Sequence, residues 1–532
     1  VATGESEPSA DSASALLIGL DPAQAEAVST PAAPLRILAG AGSGKTRVLT
    51  RRIAYRIETG QADGSHTMAV TFTRRAAAEL RGRLRRLSPA AADVAAGTFH
   101  GLAWAQYQQW LRDSSRPVPH IVASPSRIVR RYASGDELPG ALRALADGDP
   151  GARARYEEEK RRRGVIDFDD VLTCTTAELR DSRRFADAVR WRFRHLYVDE
   201  FQDVNPAQYA LLQAWLGGRD EVCVVGDPNQ AVYGWNGADP TLLDRLDGFH
   251  TVRLDANYRS TAEIVRAAAL ALGRAATPAT AGGRSGPSPT IAAYPDDEAE
   301  ATAVARAVRL AHAPTTAWSH IAVLARTNAQ LDVVAEALTR AGIPVRRPGT
   351  VAPLDRPAVK QALSRLPVAA PATEAAHRLR SLMLDEPDPA DAAAVADAAE
   401  LAVEFEAVSP GGSTAAFLAW LPSAREADAL RSGPGGGVDL ATFHKAKGLE
   451  WPTVFLVGVQ DGLVPLPRGD QAEERRLLYV AMTRAERVLH ISRSGPPSPF
   501  LPDAVLAPAP ALPPVDAKAE LARLRRRLAE AS

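Results

Sequence analysis

The sequence predicts an α/β protein of two strand-and-helix units, the first of which carries a phosphate-binding loop. Three observations predict it. Ala39-Gly40-Ala41-Gly42-Ser43-Gly44-Lys45-Thr46 follows an apolar run, Leu35 to Leu38, and precedes Leu49, Ile53 and Ile57 spaced four apart, so strand, Gly-rich turn and helix stand in the required order. Strand-like apolar runs then alternate with helical stretches. After Arg259 the same character begins again without a second phosphate loop.

A chain of 532 residues is too long for one ordinary core. Hydrophobic content of 46% and charged content of 24% are those of a soluble globular protein. The 63 basic and 63 acidic residues cancel, so any nucleic-acid surface must be a local groove. Two cysteines, Cys174 and Cys223, exclude a four-cysteine zinc or iron–sulfur site, and Cys223 sits in an apolar run that favours a buried thiol. No apolar span of about 18 residues and no secretory signal is present, so a cytoplasmic protein is expected.

Residues 1–18 are rich in Ser, Ala, Glu and Pro and are expected to be disordered. Asp21 caps a short helix with Pro22 at its first position. Gln24, in itself a surface glutamine, stands just upstream of the loop, where an amide that reads adenine belongs. The N–H groups of the Gly-rich turn surround triphosphate oxygens, Lys45 reaches the β/γ-phosphates and Thr46 holds Mg²⁺, although Ala39 replaces the usual first glycine. Thr67 to Thr73 and Ala96 to His100 read as strands, with a basic helix, Arg74 to Leu87, between them. From Gly101 to Arg194 the pattern is largely helical. Its stripe of Trp104, Tyr107 and Trp110 reads as core, and Tyr156 to Arg163 reads either as a solvated helix or as a DNA contact.

His195 to Val198 is the next strand, and Asp199-Glu200 stands at its carboxyl end, where parallel sheets meet their ligands. Phosphoryl transfer asks for one carboxylate on the metal, Asp199, and one beside the attacking water, Glu200. The strand Glu221 to Val225 leads to Gln230, placed to sense the γ-phosphate, and to Tyr233 and Trp235. That pair reads either as a base-stacking surface or as core. A further strand, Thr251 to Leu254, ends in Asn257-Tyr258-Arg259-Ser260. In the second unit His320 to Ala325, Val438 to Thr442, Thr453 to Val459 and Val488 to Ser492 read as buried strands. Residues 275–289 read as a loop, 349–437 as an inserted helical domain closing on a Gly-rich hinge at 432–437, and 516–532 as a charged helix.

These blocks, with Thr442-Phe443-His444-Lys445-Ala446-Lys447-Gly448-Leu449-Glu450 and Tyr479-Val480-Ala481-Met482-Thr483-Arg484-Ala485-Glu486, resemble in order and spacing the UvrD/Rep/PcrA group of superfamily 1 DNA helicases, from Leu20 to about Phe500. The resemblance implies two RecA-like P-loop NTPase motor domains with mainly helical inserted subdomains, and ATP in the cleft between them. It divides the chain into a disordered segment 1–18, a first motor domain 19–260 with a helical insert at about 101–190, a second motor domain 261–348 and 438–510 with a reduced insert 349–437, and a charged tail 511–532. It implies that Gln24 reads adenine, that Arg47 and Tyr258 pack on the base, and that Glu450 holds the ribose. Ala39 to Thr46 bind phosphate, with Thr46 and Asp199 on Mg²⁺. Lys45, Asp199, Glu200, Gln230 and the arginine fingers Arg259 and Arg484 carry the chemistry, Arg484 being placed on a helix. Phe72, His100, Tyr233, Trp235 and His444 line the single-strand path. Asn236 stands where the family often has Arg. The short insert is similar to that of the shorter UvrD-like paralogues of actinobacteria, some of which carry a further C-terminal DNA-binding domain.

The function implied is an ATP-dependent 3′ to 5′ DNA helicase or translocase, stimulated by single-stranded DNA and serving repair or replication restart. ATP and Mg²⁺ are its cofactors, and single-stranded and 3′-tailed duplex DNA its substrates. No membrane contact is expected, repair or replication proteins are its possible partners, and its place is the nucleoid within the cytoplasm. A translocase that strips proteins but unwinds weakly is the alternative. An inert DNA-binding subunit is opposed by the full set of Lys45, Thr46, Asp199, Glu200, Gln230, Arg259 and Arg484.

Overall fold

The computed structural model describes residues 10–122, 125–133, 137–146, 148–234, 237–274, 284–312, 316–346, 357–384, 395–396, 398–399, 401–403, 405–406, 409, 411–428, 437–501 and 506–509. Trp235, Asn236, most of the 275–289 stretch, the 432–436 part of the hinge and the 511–532 tail lie outside the described residues. Two units divide the chain, Val1–Asp255 and Ala256–Ser532.

The first unit is built on β1 (Leu35–Ala39), β2 (Thr67–Thr71), β3 (Ala95–Thr98), β6 (His195–Val198), β7 (Val222–Gly226) and β8 (His250–Leu254), with the two-residue strands β4 (His120–Ile121) and β5 (Val165–Ile166) paired apart from them. The six form one parallel sheet in the order β3-β2-β6-β7-β1-β8. Every residue of β2 and β7 is buried, as helices on both faces require. The pleat divides the side chains of β2, β6 and β7. Met68, Val70, Leu196, Val198, Val222 and Val224 join one core, and Ala69, Tyr197, Cys223 and Val225 join the other. Leu49, Ile53 and Ile57 of the Lys45–Glu58 helix lie in that second core, on the face their spacing predicts.

The helical stretch after β3 is not one body. The helices Phe99–Asp113, Phe168–Asp181 and Arg183–Arg192 pack on the sheet, while Val122, Ile128, Val129, Ala133 and Tyr156 make a small separate core. Tyr107 is buried, Trp104 and Trp110 pack against the sheet's core, and Trp110 stacks on Phe185 at 5.2 Å and donates to Glu178 Oε1 at 2.7 Å, so that stripe is core. In the Pro150–Arg163 helix the Lys160 side chain is only 4% exposed. Its ammonium meets Asp170 at 2.7 Å, Asp167 at 2.9 Å and Glu157 at 3.0 Å. Arg161 and Arg162 pair with Glu158 and Glu159 on their own helix, which favours the helix with internal ion pairs over the DNA contact.

Two boundaries shift for one reason. The strand expected to reach His100 stops at Thr98, whose Oγ1 accepts from Gly101 N at 3.1 Å and starts the Phe99–Asp113 helix. The strand expected to reach Thr73 stops at Thr71, and Thr73 caps the next helix through Ala76 N. The disorder expected through residue 18 gives way to a short helix, Ala10–Ala15. Ala13 and Leu16 are buried there, and Arg51 donates to the carbonyls of Leu16 and Ile18.

The second unit holds β9 (Thr290–Ala293), β10 (Ile321–Ala325), β11 (Val345–Arg346), β12 (Val438–Thr442), β13 (Trp451–Val457), β14 (Ala485–Arg493) and β15 (Ala507–Pro508) in a parallel sheet ordered β11-β12-β10-β13-β14-β9-β15. Val323, Leu440 and Phe455 share a core with the helices Asp297–Ala311 and Asn328–Arg340. The helices Pro357–Ser364, Ala372–Leu384 and Thr414–Asp428 enclose another around Val359, Leu379, Phe405 and Phe417, with Pro371 bridging Ser413 where the segment doubles back. No described helix is long and apolar enough to cross a membrane.

Candidate functional site

In the first unit the chemistry gathers at the carboxyl ends of β1, β6 and β7. The loop after β1 turns through Gly42 (φ 70°) and Gly44 (φ 83°), left-handed conformations that suit glycine and aim backbone N–H groups inward. Ser43 Oγ donates to Gly40 O at 2.8 Å and Lys45 Nζ to Ala39 O at 3.3 Å, so the lysine folds back over the loop. Gln24 is 1% exposed. Its Oε1 accepts from Asp21 N in a capping box, and its Nε2 donates to Ser43 O at 2.9 Å. The amide expected on adenine thus braces the phosphate loop. Arg47, expected on the base, donates to Gly19 O at 3.0 Å.

Asp199 follows β6, buried, its N–H donating to Val70 O of β2 at 2.9 Å. Burial and then the neighbouring Glu200 push its carboxyl up to about 7, against the opposing pull of Lys45. Glu200 has a left-handed backbone (φ 51°) without being glycine. Its carboxylate accepts from Gln202 Nε2 at 2.5 Å. Gln230 donates from Nε2 to Asp227 Oδ2 at 2.7 Å. Tyr233 is half-buried, and burial, followed by Asp203 and Glu200, raises its phenol to about 12.

Phe72 and His100 stand at the same ends of the neighbouring strands. Phe72 meets Phe99 edge-on at 6.1 Å, and His100 meets Phe168 at 6.2 Å. Burial lowers the His100 pKa, and Asp169 opposes it. Phe168 is 44% exposed, an aromatic at a helix start that sequence reasoning passed over. A cavity of about 530 Å³ lined by Asp63, His66, Arg194 and His195 opens at the amino-terminal ends of β2 and β6, remote from the phosphate loop.

In the second unit Arg259 and Glu450 meet each other, Nε to Oε2 at 2.5 Å. Asn257 Oδ1 accepts from the N–H groups of Arg259 and Ser260 and fixes the turn that also carries Tyr258. Arg484, expected on a helix, lies beyond it. The helix Gln471–Met482 ends first, and Arg484 immediately precedes β14. It is 1% exposed and donates from Nε to Val480 O at 2.8 Å and from Nη1 to Leu449 O at 3.2 Å. His444 is half-buried, its pKa lowered by burial and then by Arg326, which itself grips Glu474 at 2.6 Å. The structure thus brings Arg259, Glu450 and Arg484 to the starts of β13 and β14, where Trp451 and Ala485 are in register.

Among the described residues no group of three or more His, Cys, Asp or Glu side chains forms a metal cage. A Mg²⁺ held by one or two protein oxygens and by substrate phosphates needs none. Asp199 and Thr46 supply such oxygens, and the buried Thr71 hydroxyl at the end of β2 has no hydrogen-bond partner, so the donor set fits Mg²⁺ arriving with a nucleotide.

Comparison with known proteins agrees over both units. The family model described as UvrD/REP helicase N-terminal domain matches residues 20–118 and 151–250, and that described as UvrD-like helicase C-terminal domain matches 252–387 and 420–495. ATP-dependent DNA helicase UvrD2 of Mycobacterium tuberculosis is 38% identical over 90% of this chain and 79% of its own length. DNA helicase II of Escherichia coli is 30% identical over 90% and 84%, and ATP-dependent DNA helicase PcrA of Bacillus subtilis 28% identical over 90% and 83%.

Proposed function

The chain belongs to the UvrD/REP helicase family, an ATP-hydrolysing DNA helicase in two RecA-like units, and from that premise we propose that it moves 3′ to 5′ along single-stranded DNA and that this strand stimulates its hydrolysis of ATP. The observation that carries the reading is the meeting, at the carboxyl ends of the strands, of the phosphate loop, the Asp199–Glu200 pair and Tyr233, whose phenol feels the charges of Asp203 and Glu200. A phosphate site and an aromatic surface on one rigid element are what coupling nucleotide to strand requires.

The roles follow from chemistry. Loop N–H groups and Lys45 bind the β/γ-phosphates, and Thr46 and Asp199 would hold Mg²⁺, which when bound neutralises phosphate charge. Glu200 accepts the proton of the attacking water, because it is the carboxylate left beside the metal-binding one. Gln230 reads the γ-phosphate. Arg259 and Arg484 are the stabilising cations, released from Glu450 and from the backbone carbonyls they now hold. Gln24 supports adenine binding through the loop it braces, while Arg47 and Tyr258 take the base and Glu450 the ribose. Phe72, His100, Tyr233, Trp235 and His444 carry the strand. Repair or replication restart is the setting, in the nucleoid, with 3′-tailed duplexes as substrates. The small helical insert favours a second reading, a translocase that clears proteins and unwinds weakly.

ATPase with and without single-stranded DNA, alongside unwinding of 3′- and 5′-tailed duplexes, tests the reading. Equal turnover with and without DNA, or preference for the 5′ tail, would refute it. Glu200→Gln should bind ATP as the wild type does and lose about 10²–10⁴-fold in turnover. Near wild-type turnover would remove Glu200 as the base.

A further inference from the structure

The Glu200 carboxylate does not stand alone, and what holds it leads away from the phosphate loop. Gln202, on the short turn Phe201–Asp203, is 0% exposed. Both ends of its amide are used. Nε2 donates to Glu200 Oε2 at 2.5 Å, and Oε1 accepts from Asp227 N at 2.8 Å. Asp227 in turn accepts at Oδ1 from Asn229 N at 3.0 Å and at Oδ2 from Gln230 Nε2 at 2.7 Å. Three hydrogen bonds therefore run unbroken from the water-activating carboxylate to the γ-phosphate reader, and Gln202, Asp227 and Gln230 are all buried. The backbone leaves room for this path. A Cβ on Gly226 would lie 3.0 Å from Gln202 Oε1 and 3.1 Å from Leu243 Cδ2.

We propose that Gln202 is a positioning residue that latches the Glu200 carboxylate to the Asp227–Gln230 segment, so that what this segment binds decides when Glu200 is delivered to water. The inference rests on the reading of Glu200 as base and Gln230 as phosphate reader. Its physical basis is that a primary amide is at once donor and acceptor. When Gln230 turns to a phosphate, its hold on Asp227 breaks. When Tyr233 takes a base, the same segment is pulled from its other end. Either displacement reaches Gln202 through the Asp227 N–H and alters its grip on Glu200. A methionine at 202 keeps the buried volume and loses both bonds. A glutamate keeps the acceptor for Asp227 N but sets a carboxylate against Glu200.

The test uses the full chain and reads four quantities on each preparation: ATP KM, kcat without DNA, kcat with saturating single-stranded DNA, and Tm. Gln202→Met and Gln202→Glu should keep ATP KM within about twofold and lose about tenfold or more of DNA-stimulated kcat, a part of what a well-placed base supplies. The ratio of stimulated to unstimulated kcat should fall towards one. Gly226→Ala, which crowds the amide without changing it, should lower the same ratio and covers the case in which the Gln202 variants do not fold. A wild-type ratio in these variants overturns the latch, as does a fall in Tm and ATP affinity that leaves the ratio intact, since that is how a merely structural glutamine behaves. A wild-type enzyme without DNA stimulation, or a Glu200→Gln control that still turns over, overturns the parent reading and the latch together.

Discussion

Lys160 shows how one side chain is assigned by its neighbours. Its ammonium is enclosed by Asp167, Asp170 and Glu157 and lies 5.0 Å from the centre of the Tyr156 ring. Burial alone would push the Asp167 carboxyl up, but the Lys160 ammonium and the Asp170 N–H outweigh it and hold it below the usual carboxylate range. A lowered folded pKa contributes stability that is present above the ordinary carboxylate value and lost as pH falls through the folded one. Removing one partner of a buried ion pair costs about 3–5 kcal/mol. Lys160→Met should therefore lower stability by about that amount in urea melts at pH 7. It should also reverse the acid sensitivity of this region, because Asp167 would then be raised by burial. An unchanged melt would mean that solvent reaches the cluster.

At the scale of elements, helix starts do the positioning. Thr98 ends β3 and opens the helix that carries His100, and Asp167 caps the helix that opens with Phe168, so two caps bring these rings together. Base stacking on an aromatic is worth about 1–3 kcal/mol. Phe168→Ala should weaken single-strand binding by roughly 5- to 150-fold with Tm unchanged, since the ring is exposed, and with an unaltered salt dependence, since phosphate contacts remain. A fall in Tm without a change in DNA affinity would make Phe168 a packing residue.

Elements were legible in the sequence to the extent that local pattern decides them. β2, β6, β7, β10 and β12 are buried on both faces and, apart from Asp439 in β12, read as largely apolar runs. The short edge strands β11 and β15, and β9 beside β15, have no such signal, because pairing with a neighbour's edge recruits them. The Ala10–Ala15 helix was hidden by its composition and is tied down through Arg51, a partner far along the chain. Lys45, Asp199, Glu200 and Gln230 were visible as motifs. The second bonds of Gln24, the placement of Arg484 before a strand and the amide of Gln202 depend on which loops the sheet order sets side by side.

As a whole the molecule is two units, each with its own sheet and its own core. Chains of that kind depart from two-state unfolding. Calorimetry should show two transitions, and a non-hydrolysable ATP analogue with Mg²⁺ should raise the one that belongs to residues 1–255. At a ligand concentration of about 100 times Kd the gain is about 2.7 kcal/mol. A single transition that shifts as one would show that the units unfold together.

The left-handed backbone of Glu200 sets selection for durability against selection for work. A residue with a Cβ pays about 1–2 kcal/mol to sit there, and asparagine least among them. Glu200→Asn should thus melt higher, by about 1 kcal/mol, while hydrolysing almost nothing. A library of all residues at position 200, sorted only for survival of heating, should drift to Asn and Gly. The same library sorted for growth that depends on turnover should return Glu. Convergence of both sorts on Glu would mean that the turn is relaxed and that the base is held there at no cost.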